Sequence, residues 1–496
     1  MTSYSHLLQL AMPEVIVVIT AIFALTADLV LLRTSSLRTR LSAAVSLATI
    51  GCVAAILSIA HSTDSVNLFD GMLVANPLTH LVQIALLVLT IFVLLLAVDS
   101  EFTENVGEFV LLILLATVGM MFLVASQNLL TSFISLELLS LPLYILTGFD
   151  KRNARSSEAS LKYFLFGGMS AAFLLFGFSL LYGFANSTNF VEIATAIHGP
   201  SLNPLVILAI VMTVIGLGFK VAAVPFHFWA PDVYQVAPVP VAAFIASGSK
   251  VASFFVFFQI FSIAFGGSAG SAAWMHLIHG WVPVVAGVAA LSMLLGNTVA
   301  ITQTSLRRLL AYSAIAHAGY MLIAAVAHTP DALAALLYYV ITYSLGTIGA
   351  FGIIGVVEKA TGSDKIADLS GLSKRSPILS ACLFVFVLSL AGIPPLAGFF
   401  GKFYLFVAAL AATPGSSGLL WLVAFAIAMS AVSLFYYLRI LKRVYADSPE
   451  GNSTPVQASP LTRAAIVVLA ALVILFGCAP NLLLQPILNA IHALAA

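Results

Sequence analysis

Four ionisable residues stand inside apolar runs that should hold none. Glu137 lies in SFISLELLSLPLYI, Lys220 in LGFKVAAVPFHFW, Lys250 in FIASGSKVASFF and Lys402 in LAGIPPLAGFFGKFYLF. A charge near the centre of a bilayer costs ~2.5–3.5 kcal/mol on insertion scales, so such residues usually face a bundle interior or a file of water and mark ion pathways. Amines and a carboxylate at that depth suit one chemistry, the reversible uptake and release of a proton. In a dry site an ammonium is disfavoured and a neighbouring carboxylate restores it, so making and breaking a Glu–Lys pair drives a proton on or off. Glu137 has apolar residues on both sides and is expected to be neutral or paired. His317, in RLLAYSAIAHAG, has the imidazole that accepts and passes a proton. A satisfied core histidine is the equal alternative there, and His227 beside Pro225 has the same standing. One lysine alone also fits a packing ion pair or a side chain snorkelling to the interface. Three lysines and a glutamate in separate runs favour a proton route.

Two of these residues adjoin helix breakers. Pro225 follows Lys220 by five residues and removes a backbone donor. Pro394 and Pro395, with Gly392 and Gly398, interrupt the run that holds Lys402. Freed backbone groups are tolerated at membrane depth only where they are buried in protein or line a wet cavity. Ser247, Gly248 and Ser249 beside Lys250 leave room for water. Paired interrupted helices in corresponding halves point to inverted repeats around a site near the midplane. NLLTSFISLELL (128–139) aligns with RLLAYSAIAHAG (308–319) at a shift of 180, which matches Glu137 to His317, and Lys220 and Lys402 are 182 apart.

The rest of the chain must hold these groups in lipid. Of 496 residues, 61% are hydrophobic and 8% charged, against about 25% charged in soluble domains. A soluble enzyme and a disordered chain are excluded, and a net charge of +1 offers no field for nucleic acid. A spanning helix needs about 20 mostly apolar residues. Fourteen such runs lie near 12–32, 41–60, 76–98, 108–126, 128–148, 161–185, 204–228, 239–264, 280–301, 306–327, 332–357, 376–410, 417–440 and 462–484. The expected fold is therefore an all-α polytopic membrane protein, a single membrane domain over 1–496 with the seventh and twelfth spans broken. Seventeen of the twenty Lys and Arg fall in or beside connections that follow odd-numbered spans. The positive-inside rule makes that face cytoplasmic and places both termini outside.

Several chemistries are missing. Cys52, Cys382 and Cys478 are isolated, which excludes a cysteine-ligated cluster or zinc site and argues against a disulfide framework. The first apolar run contains Glu14 and Asp28 and ends in no small-residue cleavage site, so a cleavable signal peptide is not expected. Gly401-Lys402 looks like the end of a phosphate loop, but Leu396 and Phe403 break that motif. No redox centre, hydrolytic site, cofactor site or metal site is expected in this chain.

Three long stretches carry a family resemblance: GFKVAAVPFHFWAPDVYQVAPVPVAAFIASGSKVA (218–252), RRLLAYSAIAHAGYML (307–322) and SLAGIPPLAGFFGKFYLF (389–406). They resemble the subunit N branch of the antiporter-like membrane subunits of proton-translocating NADH:quinone oxidoreductase, respiratory complex I. Mrp-type cation/proton antiporter subunits share the architecture. Lys402 fits subunit N, since subunit M is expected to place a glutamate there, and Val236 departs from an expected glycine. The resemblance implies spans 4–8 (108–264) and 9–13 (280–440) as inverted repeats, and Glu137, Lys220, Lys250 and Lys402 as charged residues of a proton path; on that path Lys220 is expected to pair with Glu137 and His317 to relay between Lys250 and Lys402. It implies a translocase subunit of an enzyme whose NADH, FMN, iron–sulfur clusters and quinone belong to other subunits. Subunit M and the small subunit K are the expected neighbours, in a bacterial plasma (inner) membrane. The alternatives are an Mrp-type antiporter subunit with no link to NADH, and a scaffold whose charges are packing pairs.

Overall fold

The structure is a computed structural model that describes residues 10–62, 65–100, 102–197, 203–412, 418–448 and 456–495. The chain termini themselves and residues 449–455 of the polar connection near 441–461 lie outside the described residues. Twelve helices among the described residues are long and apolar enough to cross a membrane. Three shorter apolar helices occupy the places of the seventh and twelfth expected spans.

Apart from two helices of seven residues or fewer (Phe190–Ala196, Leu372–Arg375), the α-helices in chain order are α1 (Met12–Thr26), α2 (Leu37–His61), α3 (Pro77–Ala97), α4 (Val106–Val124), α5 (Leu129–Thr147) and α6 (Ala154–Ala185). Then come α7 (Pro204–Lys220), α8 (Trp229–Val236), α9 (Val239–Ala246), α10 (Gly248–Gln259), α11 (Trp281–Thr302) and α12 (Leu306–Ala327). The last are α13 (Pro330–Thr361), α14 (Pro377–Ala391), α15 (Ala397–Ala411), α16 (Leu420–Tyr445), α17 (Pro460–Cys478) and α18 (Asn481–Ala495). Polar caps fix where many of them start. Asn76 and Thr79 form a reciprocal capping box ahead of α3, and Thr329 caps α13 with Pro330 at its first position. These satisfy backbone donors that a helix start leaves unpaired.

Helices that are apolar all round belong in the interior. The most apolar stretch of the span formed by α9, α10 and a short π-helix (Ile260–Ala264) is wholly buried, and 94% of the corresponding stretches of α12 and of α13 is buried. These three carry Lys250 and His317. The outer helices α1, α2, α6, α16 and α17 leave most of their surface open to the surroundings.

Three features were not expected. The eighth span is also interrupted, at Ser247 (φ −121°, ψ −88°), where α9 hands over to α10 three residues before Lys250. Two short antiparallel hairpins, β1–β2 (Val66–Leu68, Leu73–Ala75) and β3–β4 (Ser271–Ala273, His276–Ile278), sit in connections that follow even-numbered spans. Asp28, noted as a carboxylate at a span edge, closes a clamp. Its two oxygens accept from Arg40 at 2.7 Å each, and one accepts from the Gly107 amide at 2.9 Å, tying the π-helical turn after α1 (Ala27–Leu31) to α2 and α4.

Candidate functional site

Lys250 is 1% exposed, and its ammonium donates to the Ala314 carbonyl at 2.7 Å on α12. The Tyr343 ring stands 5.7 Å from the same nitrogen, a distance at which the ring face attracts a cation. One turn further along α12 lies His317, also buried. Both of its ring nitrogens reach tyrosine hydroxyls: Nδ1 to Tyr339 of α13 at 2.7 Å, Nε2 to Tyr437 of α16 at 3.2 Å. Tyr437 shares a further hydrogen bond with Ser313. His317 therefore stands in a hydroxyl-lined core between the two interior lysines.

Lys402 lies one turn inside α15, just after the break of the twelfth span. Its ammonium donates to the Leu390 and Ala391 carbonyls at 3.2 and 3.1 Å and to Ser430 at 2.9 Å. Those two carbonyls end α14 and would otherwise lack partners. The negative end of a helix dipole and a cation meet here, which stabilises both. Tyr320 presents its ring 5.0 Å from the ammonium. The chain turns at Gly392 with φ +87°, a conformation that glycine adopts without strain.

Lys220 ends α7, and the break follows it. Trp229 donates to the Phe219 carbonyl at 3.0 Å, and Ser292 accepts from the Val224 amide at 2.9 Å. The Lys220 ammonium donates to Ser140 and, at 3.2 Å, to the Tyr144 hydroxyl, both on α5. Glu137 precedes Ser140 by less than one turn and is half-buried, at the edge of an open apolar stripe formed by Leu130, Ile134, Leu141 and Ile145. Its carboxylate is not within ion-pair reach of Lys220 in this structure. The expected Glu137–Lys220 pair is not formed: Ser140 and Tyr144, from the same helix, hold the ammonium instead. His227 is buried beside the break, stacked on Phe228, with no protein partner for Nδ1.

The two breaks are not placed alike. Lys220 closes the first half of its span, whereas Lys402 opens the second half of its own. Pro225 and Pro394 are 169 residues apart, so the 182-residue shift that pairs the lysines does not pair the breaks. The tyrosines and serines around the lysines were also missed from sequence. Their signal was the hydroxyl-rich runs YYVITYS (338–344) and FYYLR (435–439) inside apolar spans.

Among the connections rich in Lys and Arg, Asp232 of α8 accepts from Arg308 at 2.7 Å and from Lys162 at 3.1 Å. Burial works against its ionisation, but hydrogen bonds from Arg308 and Lys162 and their charges outweigh it and hold the carboxyl below the usual carboxylate range. A depressed folded value makes its stabilisation complete above pH ~4 and lost only as the pH falls through the folded value. Asp232→Asn is thus expected to lower stability by ~1 kcal/mol or less, by the same amount at pH 5 and pH 8. Thermal melts in detergent at those two pH values check this. A cavity of about 700 Å³ opens nearby, bordered by Asp99, Arg307, Glu358 and Lys359. Among the described residues no cluster of three His, Cys, Asp or Glu is grouped to hold a metal ion.

The profile described as "NADH:quinone oxidoreductase/Mrp antiporter, TM" matches residues 126–433. The chain belongs to this family. Within the NADH:quinone oxidoreductase/Mrp antiporter family, it is 54% identical over 492 residues to NADH-quinone oxidoreductase subunit N 2 of Acidobacterium capsulatum, covering 97% of this chain and 99% of that one. It is 38% identical to NAD(P)H-quinone oxidoreductase subunit 2 of Trichodesmium erythraeum, over 90% of this chain and 83% of that one. Among solved structures, it resembles a chain of respiratory complex I from Thermus thermophilus at 32% identity and a TM-score of 0.78, covering 95% and 98% of the two chains. A chain of the Mrp complex from a Dietzia species, at 22% identity and a TM-score of 0.81 over 98% and 97% of the two chains, shares the fold. The matched region contains all four intramembrane charges and His317.

Proposed function

We propose that the chain is a proton-translocating membrane subunit of an NADH:quinone oxidoreductase of the subunit N type, powered by quinone reduction elsewhere in the complex. The observation that carries the route is the row of buried groups from Lys220 through Lys250 and His317 to Lys402, beside interrupted spans. Lys220 takes up a proton from the cytoplasmic side while Glu137 is engaged with it. On losing that partner it passes the proton to Lys250. The proton continues by His317 to Lys402 and leaves on the outer side. Moving one charge through 100 mV requires about 2.3 kcal/mol, the scale on which gaining or losing a buried ion-pair partner acts.

The same proposal has fourteen spans, with 108–264 and 280–440 as inverted repeats, and both termini outside a bacterial inner membrane. FMN, iron–sulfur clusters and quinone sit in partner subunits, and subunits M and K adjoin this chain. The half-buried position of Glu137, facing outward at membrane depth, suits cover by a neighbouring protein better than by lipid. Lys220→Ala is expected to lower NADH-driven proton uptake into vesicles while a native gel still shows the assembled, active complex. Full pumping at normal stoichiometry would sink the route. Co-migration with other antiporter subunits and no NADH activity would favour the Mrp-type alternative, whose fold this chain shares.

A further inference from the structure

The geometry points to Tyr437 and Tyr339 as the groups that hand the proton to and from His317, so that the central step runs through side chains in a fixed order, Ser313, Tyr437, His317, Tyr339. This rests on the proposal that His317 relays protons. The four groups come from three helices, α12, α13 and α16, and are joined by three hydrogen bonds. All four are buried to within 2% exposure.

Each end of the row is the chain neighbour, or the packing neighbour, of a residue that adjoins one of the two amines. Ser313 immediately precedes Ala314, whose carbonyl holds the Lys250 ammonium. At the other end the Tyr339 ring rests on Gly401: a Cβ there would come 2.4 Å from a ring carbon. Gly401 is the residue before Lys402. A larger residue at 401 would thus push Tyr339 away, and glycine lets it approach the end of the path.

A neutral imidazole has one donor and one acceptor nitrogen. With a hydroxyl on each side, one tyrosine must donate to the ring while the other accepts from it. A proton arriving at Ser313 shifts the Ser313 hydroxyl proton to the Tyr437 oxygen and that of Tyr437 to Nε2. The Nδ1 proton then passes to the Tyr339 oxygen, and the former Tyr339 hydroxyl proton leaves toward Lys402. Every O–H or N–H bond that breaks is matched by one that forms, no phenolate remains, and the ring ends with its proton on Nε2. Before a second proton can follow in the same direction, the ring must return its proton to Nδ1. The row therefore passes one proton per reset.

The test uses the assembled complex in vesicles, with proton uptake per NADH as the readout and a native gel for assembly. Tyr339→Phe and Tyr437→Phe are each expected to remove this chain's share of the uptake with assembly intact. Tyr338→Phe removes a hydroxyl one position away that bonds the Phe476 carbonyl and is expected to leave uptake unchanged. Normal uptake in both Phe variants, with uptake lost in His317→Gln, overturns the tyrosine row and leaves the His317 relay standing. Normal uptake in His317→Gln overturns both. Should a Phe variant not assemble, fluorotyrosine at 339 and 437 keeps shape and hydroxyl while acidifying the phenol. A relay then shifts the pH profile of proton uptake, and an unshifted profile overturns the proposal.

Discussion

Proton transfer through this chain is expected to slow roughly a hundredfold in Lys402→Ala. Without an amine after the second break, the proton must cross that depth unaided, at the ~2.5–3.5 kcal/mol cost of a buried charge, and each ~1.4 kcal/mol is a factor of ten in rate. Vesicle uptake per NADH should fall to the share carried by the other membrane subunits. Lys402→Arg separates two explanations. A guanidinium keeps the charge but does not release its proton in a protein. If Lys402 only pairs with the α14 carbonyls, arginine should restore uptake. If it passes protons, arginine should fail as alanine does. Pumping by Lys402→Arg at the wild-type ratio would remove Lys402 from the path.

The second large effect is expected at a glycine. A Cβ on Gly398 would lie 1.9 Å from the Ser389 carbonyl oxygen, where real contacts essentially never fall under 3.0 Å. Both are backbone positions at the second break, and the Gly398 amide also donates to the Ser389 hydroxyl at 3.1 Å. Gly398→Ala must therefore move the start of α15 away from the end of α14 by ~1 Å, and overpacking of this kind costs roughly 1–3 kcal/mol. Lys402 lies one turn further on, so its bonds to the Leu390 and Ala391 carbonyls open as well. A displacement of about 1 Å is enough to cost roughly a hundredfold in transfer rate. Melting of the detergent-solubilised complex should come at a lower temperature, and uptake per NADH should drop. Gly168→Ala is the control, because nothing lies within 4 Å of a Cβ there. Equal behaviour of the two variants would refute the close approach.

The spans and the four intramembrane charges were legible in the sequence because lipid enforces a long apolar pattern and makes each exception costly. The breaks at Pro225 and Pro394 were legible for the same local reason, since proline and glycine restrict the backbone whatever surrounds them. The handover at Ser247 was not, because SGS reads as small and polar without fixing a dihedral angle. The partners of the lysines were hidden for a different reason. Ser140 meets Lys220 from 80 residues away, and Tyr437 meets His317 from 120 away. Tyrosine inside an apolar span looks like core until the helices are assembled. The expected Glu137–Lys220 contact came from charge alone, and charge does not say which side chains of α5 face Lys220: Ser140 and Tyr144 do.

Asp232 is linked to the membrane interior by rings. On the same short helix, Trp229 stacks on Tyr163 at 4.3 Å with an interplanar angle of 7°, and Tyr163 meets Tyr144 edge-on at 4.7 Å. Tyr144 holds the Lys220 ammonium. Aromatic packing of this density resists compression, whereas the Asp232 cluster is partly exposed and softened by dissolved ions. A stack of rings thus joins a partly exposed, salt-screened ion cluster to the hydroxyl that holds Lys220, so added salt is expected to act on the Lys220 contact through Trp229, Tyr163 and Tyr144.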